Sequence, residues 1–158
     1  MMCVRNRLPA SEPWTTLTTP SGLQVDYPAA WHANGWDQGA QVMNLPAGCQ
    51  PSGGHGCCAP GWYHFGVLEN RRGDTIDQAF SHFFTAPGVT HTPLRTTLNG
   101  LEAMVVTTTS TNPYSPEGGE GTYYFVLVRK GNVLYHLSAG KFDDEFLPVW
   151  RRMLQSIR

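Results

Sequence analysis

A chain of 158 residues, with a charged fraction of 15% and a formal net charge of −1, is long enough to bury a core without covalent staples. Its only lysines are Lys130 and Lys141, and the pairs Arg71-Arg72 and Arg151-Arg152 make no basic stripe, so a nucleic-acid partner is not expected. No apolar run approaches the roughly 20 residues that span a bilayer, and Met1–Leu8 lacks the apolar segment of a secretion signal. Neither a membrane span nor a leader is therefore expected in these residues, and a lipid anchor in a longer precursor stays compatible.

Residues 1–13 carry Arg5, Arg7, Pro9 and Pro13 without periodicity and read as a flexible tail; residues 14–158 read as a single domain. Trp14–Thr19 is rich in β-branched residues, and Pro20-Ser21-Gly22 is a turn. Leu23–Tyr27 alternates apolar and polar side chains, the period of a half-buried strand. Pro28 closes it and opens a short turn through Ala29, Ala30 and Trp31. Gln41–Leu45 and Tyr63–Glu69 are the next predicted strands, separated by a long loop rich in Gly, Pro and Cys.

A helix follows. Asp74 or Thr75 can cap it, with Asp77 or Gln78 as the returning partner, and Ile76, Ala79, Phe80, Phe83 and Phe84 form one apolar stripe. Pro87-Gly88 ends it. Asn99-Gly100 then marks a type I′ hairpin between arms at about Thr92–Leu98 and Leu101–Thr111. Thr122–Lys130 is apolar on both faces and should be central; Gly131-Asn132 turns the chain into Val133–Ala139. A closing helix carries the stripe Phe142, Phe146, Val149, Trp150, Met153, Leu154 and Ile157, with Asp143 or Asp144 as N-cap and acid in its first turn. Pro148 requires that helix to start near Asp144 or later, or to kink. Strands in consecutive runs make the class α+β, with a mostly antiparallel sheet of about seven or eight strands and two main helices.

The run Ser21-Gly22-Leu23-Gln24-Val25-Asp26-Tyr27-Pro28-Ala29-Ala30-Trp31, the hairpin Leu98–Ala103 and the closing segment Phe142–Arg158 together resemble the PsbP-like family. That family includes the extrinsic PsbP subunit of photosystem II and small bacterial lipoproteins. The resemblance spans Trp14 to Arg158 and departs from the family in the loop Ala47–Gly61. It implies a PsbP-like α/β/α sandwich and a non-catalytic domain that binds or assembles protein partners, often outside the cytoplasm, in the periplasm or cell envelope. It implies no catalytic residue and no cofactor.

The loop Gly48–Gly61 concentrates the reactive chemistry. Cys49 can close a disulfide with Cys57 or Cys58, which would stabilise a loop with little else to hold it by roughly 2–3 kcal/mol and would place the protein in an oxidising compartment. The alternative is a zinc or copper site built from Cys49, His55, Cys57 and Cys58, with His64 able to substitute, although C-x5-H-x-C-C is not a zinc-finger spacing. Cys57 or Cys58 beside His55 or His64 offers a nucleophile and base with no third orienting group, so no enzyme is expected. His32 and His91 read as loop residues, and His82 as solvated. Asp143, Asp144 and Glu145 read as caps. Gly118–Gly121 precedes a strand rather than a helix and is no phosphate cradle. Trp31 reads as packed, whereas Trp36, Trp62 and Tyr114 are candidate contacts for a protein partner.

Overall fold

The structure is a computed structural model that describes residues 13–44, 63–82, 87–113, 121–140 and 142–158. Its first element is a hairpin of β1 (Trp14–Thr18) and β2 (Gln24–Pro28), with Leu17 opposite Val25. A second hairpin, β3 (His32–Trp36) and β4 (Gly39–Met43), follows at once. Then come β5 (His64–Asn70), α1 (Ile76–Ser81), β6 (Val89–Leu98), β7 (Leu101–Ser110), β8 (Gly121–Lys130), β9 (Val133–Ala139) and α2 (Leu147–Gln155). The protein is an α+β fold whose described strand pairs are all antiparallel.

Among the described residues the strands form two sheets, seven-stranded in the order β3-β4-β5-β9-β8-β7-β6 and two-stranded as β1-β2. The expected sheet of about seven or eight strands is the seven-stranded one, and the β1–β2 hairpin stands outside it. Leu23 and Val25, both fully buried, explain the split: they belong to the same core as Phe146, Trp150, Met153 and Ile157, so the first hairpin packs across the large sheet with α2 instead of extending its edge. The large sheet contributes Val42, Phe65, Val67, Val126, Val128, Tyr135 and Leu137 to this core. Its opposite face holds a smaller core of Met104, Val106, Leu127 and Leu134 beneath Ile76 of α1. β8 is thus covered on both sides, as its two apolar faces demand.

Three local expectations change. The stretch after Trp31 is a strand, β3, and not a continuation of the turn, so His32 lies in a strand; His91 does too, in β6. Ala33, Asn34 and Gly35 have poor β-propensity, and pairing across the Asp37–Gln38 turn overrides it. α2 begins at Leu147 with Pro148 in its first turn, where a missing N–H costs nothing. No acid lies in that first turn and no side chain caps it; Asp143 instead accepts from the Phe146 amide at 2.9 Å, one turn earlier. α1 keeps its capping box, Thr75 with Gln78, but spans Ile76–Ser81 only; Phe83 and Phe84 lie outside the described residues.

The first hairpin is secured by the far end of the sequence. Gln24 and Arg158 exchange backbone hydrogen bonds at 2.9 and 3.1 Å, the Asp26 amide donates to Ser156 Oγ at 2.8 Å, and the Arg152 guanidinium sits 4.0 Å from the centre of the Trp14 ring. Asn99 and Gly100, at φ 48° and 81°, adopt the left-handed pair a type I′ turn requires. Asn99 Nδ2 then reaches the carbonyls of Gln155 and Ile157, at 2.8 and 2.6 Å, capping the C-terminal end of α2 from a distant turn.

Candidate functional site

Register decides which side chains β3 offers. Ala33 and Gly35 stand opposite Val42 and Ala40 and share their core-side face, while His32, Asn34 and Trp36 stand opposite Met43, Gln41 and Gly39 on the other. β3 is the end strand of the large sheet among the described residues. Along it runs an open groove of about 450 Å³, walled by Leu17, Thr18 and Pro20 on one side and by Ala33–Trp36, Gly39 and Ala40 on the other. Trp36 is 43% exposed although its neighbour in register, Gly39, is buried. A Cβ at Gly39 would lie 2.8 Å from the Trp36 ring and would collide with the Val67 carbonyl oxygen. Glycine at 39 therefore lets the indole close over the strand and lets β4 approach β5.

Both turns that flank the groove are tied to one buried carboxylate. Glu69, whose side chain is fully buried, accepts from the amide and hydroxyl of Ser21 in the β1–β2 turn, at 2.8 and 2.7 Å. Arg71 donates to Glu69 at 2.7 and 3.0 Å and also to the carbonyl of Asp37 in the β3–β4 turn. The Glu69 amide itself donates to the Gln38 carbonyl at 2.8 Å. Burial alone would raise the Glu69 pKa, but the hydrogen bonds from Ser21, Thr19 and Arg71 outweigh it and hold the carboxyl below its ordinary value. Lys130 Nζ adds a bond to the Gly22 carbonyl at 2.8 Å. The groove walls are thus tied together by hydrogen bonds through Glu69 and Arg71.

The remaining sequence candidates separate cleanly. Trp36 is the partner-contact candidate that the structure brings to a groove. Trp62 and Tyr114 lie outside the described residues, as do Cys49, His55, Cys57 and Cys58, so the disulfide and metal expectations fall there too. Among the described residues no group of three or more His, Cys, Asp or Glu is placed to hold a metal ion. Trp31 is 5% exposed and stacks toward Phe146 at 6.3 Å. His64 points across Gly66 and meets Gln41 Oε1 at 2.8 Å; burial lowers its pKa, and burial likewise lowers that of His136 beside the Phe125 ring. Tyr63 donates to Asp143 Oδ2 at 2.8 Å, and burial together with Asp143 and Glu145 raises its pKa. That contact anchors the segment before α2, which makes Asp143 structural.

Sequence reasoning missed β3 itself and the Glu69–Ser21–Arg71 bridge. Two clusters of Gly, Pro, Asn and Asp around a five-residue run are a strand signal, but His32–Trp36 lacks the β-branched residues that would have raised it. Nothing in the sequence pairs Glu69 with Ser21.

The chain matches no protein-family model and no curated protein. Among solved structures, a protein of unknown function from Pseudomonas aeruginosa is 12% identical, with 90% of this chain and 94% of that one covered and a TM-score of 0.46. That likeness carries no functional argument.

Proposed function

We propose that this is a non-catalytic, PsbP-like domain that docks a protein partner in the groove between β1 and the β3–β4 hairpin. The observation that carries the reading is Trp36. A tryptophan left 43% exposed beside an apolar groove is the kind of residue that anchors protein interfaces, where burying one large rigid ring contributes more than many smaller contacts. The buried Glu69 bridge supports it, because fixed walls lower the ordering cost of binding. Among the described residues the lining contains no titratable side chain, which suits recognition better than acid–base chemistry. Work outside the cytoplasm goes with the family resemblance and with a disulfide at Cys49.

Site-specific photo-crosslinking tests the reading. A benzophenone amino acid at Asn34, on the strand that walls the groove, should trap one partner in the source cells, and Trp36→Ala should abolish the adduct. The same label at Thr96, exposed on β6, should trap none. Equal labelling from both positions, or none from Asn34, would sink the docking assignment.

A further inference from the structure

Resting on that docking site, we infer the form of its occupant: an extended segment of the partner that adds to β3 as an eighth strand of the large sheet, presenting uncharged, bulky apolar side chains at alternate positions. The first argument is backbone chemistry. An end strand presents a row of N–H and C=O groups on its outer side, and a chain lying along it satisfies them only when extended. The second is a contrast between the two ends of the same sheet. β6, the other end strand, carries Pro93 and Arg95 within it, the residues proteins use to block strand addition. β3 reads His-Ala-Asn-Gly-Trp and contains no proline, lysine, arginine or carboxylate. Among the described residues one end strand carries these blocking residues and the other does not.

The third argument sets the side chains. On the core-side face β3 offers only Ala33 and Gly35, with Ala40 behind them, while Leu17 and Pro20 stand across the groove. The missing bulk on that face is what an added strand would supply at positions i and i+2. Among the described residues no lining residue is charged, so a charged side chain entering there would lose hydration without gaining an ion partner among them. A second copy of β3 pairing with the first would bring only another alanine and glycine to these positions and leave the groove unfilled. The better-fitting occupant is therefore a different chain.

Selection from a displayed library of random linear segments, followed by anisotropy with the labelled winning peptide, tests this. Expected are winners with apolar residues at i and i+2. N-methylation of the alternate amides facing β3 should then weaken binding by at least about tenfold, with methylation of the intervening amides tolerated. Asn34→Lys, a guard charge on the exposed face that leaves the core untouched, should weaken binding comparably. Winners without two-residue periodicity, or binding lost in Trp36→Ala yet indifferent to N-methylation at either set, would overturn strand addition and keep the docking site. A library that yields no binder sensitive to Trp36→Ala would overturn both. Light scattering that shows a dimer competing with the peptide would replace the partner chain by a second copy and overturn the inference.

Discussion

Glu69 accepts two hydrogen bonds from Ser21, one from its amide and one from its hydroxyl, although 48 residues separate them. A carboxylate buried to this degree persists only because its donors replace water. Glu69→Ala removes all of these charge-assisted bonds and should cost about 3 kcal/mol, read as a lower urea midpoint at unchanged slope. The larger consequence concerns the groove. Trp36 fluorescence should shift in the folded variant, because Arg71 loses the group that aims it at Asp37. An unchanged midpoint would mean the bridge contributes nothing.

The pH dependence separates into two windows. Glu69 has a depressed folded pKa, so its contribution is complete above its unfolded value of about 4.5 and is lost as pH falls through the folded value. His64 and His136 are also depressed, by burial, from 6.5. Charging them opposes folding, so their contribution is present above pH 6.5 and declines as pH falls through their folded values. Urea stability should therefore fall in a first step below pH 6.5 and a second below pH 4.5, and Glu69→Gln should erase only the second. Erasure of the first step by that substitution would contradict the assignment.

Gly39→Ala should be costly despite adding a single methyl group. The nearest obstacle is the Val67 carbonyl oxygen, a backbone atom of β5, so β4 must move away from β5. A loss of about 1–3 kcal/mol is expected, accompanied by greater solvent exposure of Trp36 in acrylamide quenching. Wild-type stability and quenching would show that the contact is easily relieved.

Asn99 performs two tasks that substitution can divide. Asn99→Gly keeps the positive φ of the turn and loses both bonds to the end of α2, for an expected cost of about 1 kcal/mol. Asn99→Ala loses the bonds and also strains the turn, so it should unfold at a lower temperature than the glycine variant. Equal melting temperatures would place the whole effect in the cap.

Intact mass under native conditions, without reductant or chelator, decides the chemistry of Cys49, Cys57 and Cys58. The expected result is a loss of two hydrogens, as for a protein of an oxidising compartment. A gain matching zinc or copper that a chelator removes would make Cys49, His55, Cys57 and Cys58 a metal site instead.

Legibility in the sequence followed the strength of local signals. Asn99-Gly100 predicts its hairpin because only a type I′ turn needs two consecutive positive φ values, and the arms at Val89–Leu98 and Leu101–Ser110 follow. The two apolar faces of Thr122–Lys130 likewise predict a strand covered on both sides. β3 was not legible because Ala33, Asn34 and Gly35 are held in a strand by their neighbours and not by their own preferences. Trp36 could be flagged as an aromatic near a turn, but its exposure follows from the register that sets it against Gly39. The division into two sheets depended on where Leu23 and Val25 pack, which periodicity does not specify.

The bonds between Gln24 and Arg158 bear on the order in which the fold is made. A ribosome releases the β1–β2 hairpin early, yet the surface it packs on, Trp150, Met153 and Ile157, emerges more than a hundred residues later. Two isolated strands are marginal in water, so that hairpin stays unfinished until those residues have emerged, as does the groove wall that Leu17 and Pro20 provide. Contacts so distant in sequence slow folding. The groove is thus completed only once α2 has docked.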